Sequence, residues 1–77
     1  MPEIELDVRY LDPPEPMERA IDALDRLGPD DTLRMLIHRE PHPLYQMLRE
    51  SGYTYKVEQQ PDYTYVILIR LRPPPAG

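Results

Sequence analysis

Cysteine is absent from this chain of 77 residues. That excludes disulfides, thiol chemistry and any zinc site built on thiolates. Basic residues are the minority, nine against fourteen acidic ones, for a net charge of −5. This balance favours solubility and disfavours non-specific binding to nucleic acid or an anionic membrane. No apolar run approaches the roughly 20 residues that span a bilayer. The opening Met1-Pro2-Glu3-Ile4-Glu5 is acidic and lacks the basic and apolar regions of a signal peptide. The expected compartment is therefore the cytoplasm.

Proline is plentiful, with eleven residues against an average share of about 5%. The prolines sit before helix-like runs, in turns and in Pro73-Pro74-Pro75. Such placement punctuates a folded domain rather than marking disorder. The length fits one domain over residues 1–72, with 73–77 as a flexible proline-rich tail. A chain this short buries only about 60% of the surface it exposes when unfolded. Its core must suffice alone, or a partner or pairing into a homodimer must add burial.

Ile4, Leu6, Val8 and Tyr10 alternate with Glu5, Asp7 and Arg9. Period two predicts a strand over 4–10 with one buried face. From Pro16 the period changes, and Met17, Ala20, Ile21, Leu24 and Leu27 form one helical stripe. Pro16 suits the first helical position, and Gly28-Pro29 supplies a C-terminal stop. A second strand is expected over 32–38, with Leu33, Met35 and Ile37 facing inward. A short helix over 43–51 buries Leu44, Met47 and Leu48 and stops at Gly52. Strands over 53–59 and 63–72 follow, joined at Gln60-Pro61-Asp62. The last is apolar on both sides through Tyr65-Val66-Ile67-Leu68-Ile69, and edge strands are rarely so. Right-handed crossovers place strands one and two in parallel. The expected fold is α+β, a two-layer β-α-β-α-β-β sandwich. Its four-stranded mixed sheet has order 1-2-4-3, with both helices on one face.

Two strand-like runs thus end in Pro-x-Pro steps, Pro14-Glu15-Pro16 and Pro41-His42-Pro43. The paired turns should lie along one sheet edge, where ligands of open α/β sheets usually bind. They carry the candidate ligand residues Arg9, Glu15, His38, Arg39, Glu40 and His42. Helix N-termini and the two arginines suit a small anionic ligand. The plainer reading is that Arg9 and Arg39 pair with neighbouring carboxylates and fix the turns. His38, Glu40 and His42 raise a metal-dependent or histidine-dependent enzyme as an alternative. Pro41 and Pro43 forbid a regular helix through them, however, and no third ligand or nucleophile is evident. No catalytic residue, metal or cofactor is expected.

Tyr53, Tyr55, Tyr63 and Tyr65 offer an aromatic platform for RNA bases, a further alternative. Cross-strand packing explains them more simply. On the uncovered sheet face, Leu36, Val66 and Leu68 form a candidate interface rimmed by Arg34, Arg70, Lys56, Glu5, Asp7 and Glu58. A half-covered face with chance apolar residues explains them equally well.

The strand order and the segment Leu11-Asp12-Pro13-Pro14-Glu15-Pro16-Met17 resemble the TusA/SirA-like family of small sulfur-transfer proteins. That family has Leu-x-Cys-Pro-x-Pro at the end of its first strand. Here Pro13 stands at the cysteine position. Together with Leu6-Asp7-Val8-Arg9 and the run from His38 to Tyr45, the segment more closely resembles the uncharacterised, cysteine-less branch of that superfamily, a domain of unknown function. The resemblance implies the fold but not the persulfide carrier chemistry, because Pro13 offers no thiolate. Members of that branch also occur joined to hemerythrin-like domains or near respiratory and nitrogen-oxide genes. The expectation is a small non-catalytic interaction or carrier-like module with a redox or metabolic protein partner.

Overall fold

A computed structural model describes residues 3–72. The expected tail lies outside these residues. The elements are β1 (Glu3–Asp7), α1 (Glu15–Asp25), β2 (Thr32–Ile37), α2 (His42–Glu50), β3 (Tyr53–Gln59) and β4 (Tyr65–Leu71). The sheet order is β1-β2-β4-β3. β1 runs parallel to β2, and β4 is antiparallel to both β2 and β3. This is the α+β architecture expected from the sequence. The apolar β4 fills an interior slot, where Ile67 and Ile69 are fully buried.

One core joins the layers. Leu33, Met35 and Ile37 from β2 meet Ala20 and Leu24 from α1 and Leu44 and Leu48 from α2. Alternate strand residues share a face, and β2 alternates between buried and half-buried along its whole length. Tyr45 is also buried, although it lies beside the expected stripe of α2. It stacks on Tyr55 of β3, with centroids 4.7 Å apart and planes 4° from parallel.

Several boundaries move, each for a local reason. β1 ends at Asp7 because the Asp7 carboxylate accepts from the Arg9 backbone N–H at 3.1 Å, folding the chain back. Val8 still pairs, donating to the Leu36 carbonyl at 2.8 Å, but Tyr10 is 85% exposed. β4 starts at Tyr65 because Tyr63 takes φ 69° in the turn. α1 ends at Asp25, short of Leu27, and α2 starts at His42 rather than Pro43. Ile21 is 42% exposed, at the margin of its stripe.

The two helix-stop glycines differ. Gly52 has φ 85°, the left-handed conformation expected of a terminator. Gly28 does not. Its N–H donates to Asp31 Oδ2 at 2.7 Å, so it serves a tight turn. Among the described residues no helix is long and apolar enough to cross a membrane.

Candidate functional site

The two Pro-x-Pro steps do lie together, at the ends of β1 and β2 where the chain enters α1 and α2. A cleft of about 230 Å³ opens between them. Pro13, Pro14 and Pro16 form one wall, and Pro41 and Pro43 the other. Met35 and Ile37 continue the β2 core into it, with Met17 and Leu44 contributed by the helices. His38 and Arg39 are the two polar residues lining it. Proline supplies apolar surface and no N–H, so the steps that start the helices also make the cleft greasy.

The six candidate ligand residues divide. His38 and Arg39 reach the cleft, and both are exposed. Glu40 and His42 lie outside its lining, with His42 Nε2 at 3.8 Å from Glu40 Oε1. Glu40 Oε2 accepts from the Tyr45 hydroxyl at 3.2 Å. Burial, assisted by that carboxylate, raises the Tyr45 hydroxyl above the usual tyrosine range, so it stays a donor. Glu15 pairs with Arg19 at 3.2 Å along α1.

Arg9 is turned away from the turns. It grips Asp7 with two bonds, Nε to Oδ1 at 2.9 Å and Nη2 to Oδ2 at 2.7 Å. These side-chain bonds, aided by the backbone one, hold the Asp7 carboxyl below its usual range. Arg9 therefore lies with Arg34, Leu36 and Val66 beside the β3–β4 turn, on the uncovered face.

The helix ends offer an anion little. At α2 the N–H of His42 donates to the Glu40 carbonyl, and those of Leu44 and Tyr45 donate to Pro41. Pro43 has none. At α1 the Glu15 and Glu18 amides bond Asp12 and Pro14. Pro16 again lacks one, and Met17 alone is left in that turn among the described residues. Arg39 is the better anion contact, since it makes no ion pair among the described residues. No group of three His, Asp or Glu side chains able to hold a metal occurs among them either.

On the uncovered face, Leu36, Val66 and Leu68 are neighbours through the β2–β4 register. Val66 is only 4% exposed, beside Arg9 and the turn residues Gln60 and Pro61. Leu68 stands between Arg34 and Lys56, and Arg34 pairs with Glu5 at 2.9 Å. The tyrosines do not pair across strands: Tyr53 faces Leu71, Tyr55 faces Ile69 and Tyr65 faces Gln59.

Charge patterning picked out the rim of the cleft and missed its interior. Met17, Met35, Ile37 and Leu44 carried a signal as core-stripe residues next to the Pro-x-Pro steps, where a core running up to two chain reversals is left uncapped.

Fold and cleft together define a small α+β domain with an apolar pocket at paired helix starts. Residues 5–71 match the family described as "Uncharacterized conserved protein (DUF2249)", and the chain belongs to that family. No curated protein and no solved structure matches it.

Proposed function

We propose that the protein is a small, non-catalytic interaction module that holds an apolar, acid-bearing segment of a partner protein in the Pro-x-Pro cleft. The observation that carries this reading is the apolar cleft with Arg39 at its mouth, a guanidinium that makes no ion pair among the described residues. An apolar side chain of the guest fills the space between the proline walls, and burial drives its entry. A neighbouring carboxylate meets Arg39, where a planar guanidinium gives two-point recognition. The anionic ligand expected from the sequence thus becomes the charged end of a mainly apolar guest. A redox or metabolic protein in the same cytoplasm is the partner we favour, on the resemblance to the cysteine-less relatives of sulfur carriers. In that lineage Pro13 fills the sulfur position and leaves a binding cleft without its reactive group.

Hexanoate is a minimal probe, since it joins a short alkyl chain to a carboxylate. Titration followed by NMR should shift the Met17 and Met35 methyls, Ile37 and Leu44 together with Arg39. Acetate and hexanol should each bind more weakly, and Arg39→Ala should remove the preference for hexanoate over hexanol. Absence of cleft shifts with hexanoate, or equal response to all three probes, sinks the reading.

A further inference from the structure

The free edge of β3 carries a self-complementary code. Two backbone bonds fix its phase: Arg72 N–H to the Gly52 carbonyl and Gln60 N–H to the Thr64 carbonyl, both at 2.8 Å. Both belong to the uninterrupted antiparallel β3–β4 register. In such a ladder, hydrogen-bonded and non-hydrogen-bonded pairs alternate. Gly52 and Gln60 are an even number of residues apart, so Thr54, Lys56 and Glu58 also point their backbone groups at β4. The N–H and C=O groups of Tyr53, Tyr55, Val57 and Gln59 point outward. Among the described residues β3 has no other neighbour in the sheet, and it contains no proline or bulge to blunt this edge.

We propose that the partner at this edge is a second copy of the chain, paired antiparallel about Val57 into one continuous sheet. The code selects both partner and register. Matching the two faces requires residues of like parity to sit opposite, which leaves four centres within the strand's middle, from Tyr55 to Glu58. Centring on Lys56 sets Lys56 against its own copy. A Glu58 centre likewise opposes two carboxylates. Around Tyr55 the charged residues meet no opposite charge. Val57 at the centre places Lys56 opposite Glu58 twice, by symmetry, on the uncovered face. These are non-hydrogen-bonded positions, where side chains approach most closely. Val57 then bonds Val57, and Tyr55 bonds Gln59, through the outward backbone groups. The arrangement is two-fold and closed.

The opposite edge is coded against such pairing. β1 presents Glu3, Glu5 and Asp7 on one face, and any antiparallel pairing of β1 with itself opposes like charges. The chain thus guards one edge and leaves the other fit for its own copy.

Charge exchange tests this directly, read by sedimentation velocity over a concentration series. Wild type should move toward twice the chain mass of 9.1 kDa. Lys56→Glu and Glu58→Lys should each weaken association about tenfold or more by opposing like charges twice. The double variant should return close to wild type. Mixing the two single variants should give a heterodimer, because each supplies the charges the other lacks. In hydrogen exchange, the Tyr55, Val57 and Gln59 amides should be protected in wild type and released in Lys56→Glu. Wild type that stays monomeric up to ~1 mM, where even weak pairing registers, overturns the proposal. So does a double variant no better than the singles, or a mass that grows past the dimer. The hexanoate titration reads the cleft alone, so the two ideas fail separately.

Discussion

At the scale of single residues, Tyr45 and Gly52 show how local chemistry becomes a measurable stability. The Tyr45 hydroxyl is kept protonated by burial and by the Glu40 carboxylate, which accepts its hydrogen bond. Its folded pKa lies above the ordinary value of 10.0. The associated stability is therefore complete below pH 10 and is lost as pH climbs past that value, where the unfolded chain ionises first. Tyr45→Phe should flatten the alkaline end of the stability profile, seen as a smaller fall in urea midpoint above pH 10. An unchanged fall would place its cause elsewhere. Asp7 gives the opposite sign. Its carboxyl is held below 3.8 by Arg9, so its contribution is present above that value and is lost as pH falls further. Gly52 is simpler. A methyl group there meets nothing within 4 Å among the described residues, so the cost of Gly52→Ala is conformational. It should destabilise by about 1 kcal/mol, the price of a left-handed alanine. Chemical denaturation measures it, and a neutral result would mean that the α2–β3 turn relaxes out of its positive φ.

At the scale of elements, α2 has nine residues and too little length to persist alone. It is held from one side by Leu44 and Leu48 in the core and from the other by Tyr45 stacked on Tyr55. Arg49 adds a 2.7 Å bond to the Tyr55 hydroxyl. A double-mutant cycle of Tyr45→Leu and Tyr55→Leu should therefore return a coupling of about 1 kcal/mol beyond lost area. Additive losses would show that the stack is only proximity. The elements themselves were legible because period two and period 3.6 alternate cleanly between proline and glycine stops. Their ends were less so. A side chain bonding back to the main chain decides them, as Asp7 does for Arg9, and hydrophobic period is silent about such bonds. The Tyr45–Tyr55 stack was hidden for a different reason. It joins separate elements across layers, whereas the strand pattern directs attention to neighbours within the sheet.

At the scale of the whole molecule, strand order followed from the apolar face-to-face character of β4, which demanded two neighbours. The site was legible in place and misjudged in chemistry. Arg9 shares parity with Glu5 and Asp7, so the alternation that defines β1 already assigns it to the uncovered face, away from the cleft. His38 and Arg39 lie just beyond the last paired residue of β2, and the greasy interior came from residues counted as core. The same parity rule decides how the uncovered face behaves toward a second copy. Leu68 sits between Arg34 and Lys56, so Leu68→Asp inserts a carboxylate between two cations and removes a half-buried apolar side chain. The lost apolar burial outweighs the gain from the two cations, and stability should fall by about 1 kcal/mol. If copies meet along β3, Leu68→Asp should sediment like wild type while Lys56→Glu falls toward monomer. If they meet through Leu36, Val66 and Leu68 instead, the order reverses: Leu68→Asp dissociates the pair because burying its charge is costly, and the Lys56/Glu58 exchange leaves the mass unchanged. Running both variants beside each other at one ionic strength separates edge from face, and repeating the pair in high salt should weaken only an edge contact held by Lys56 and Glu58.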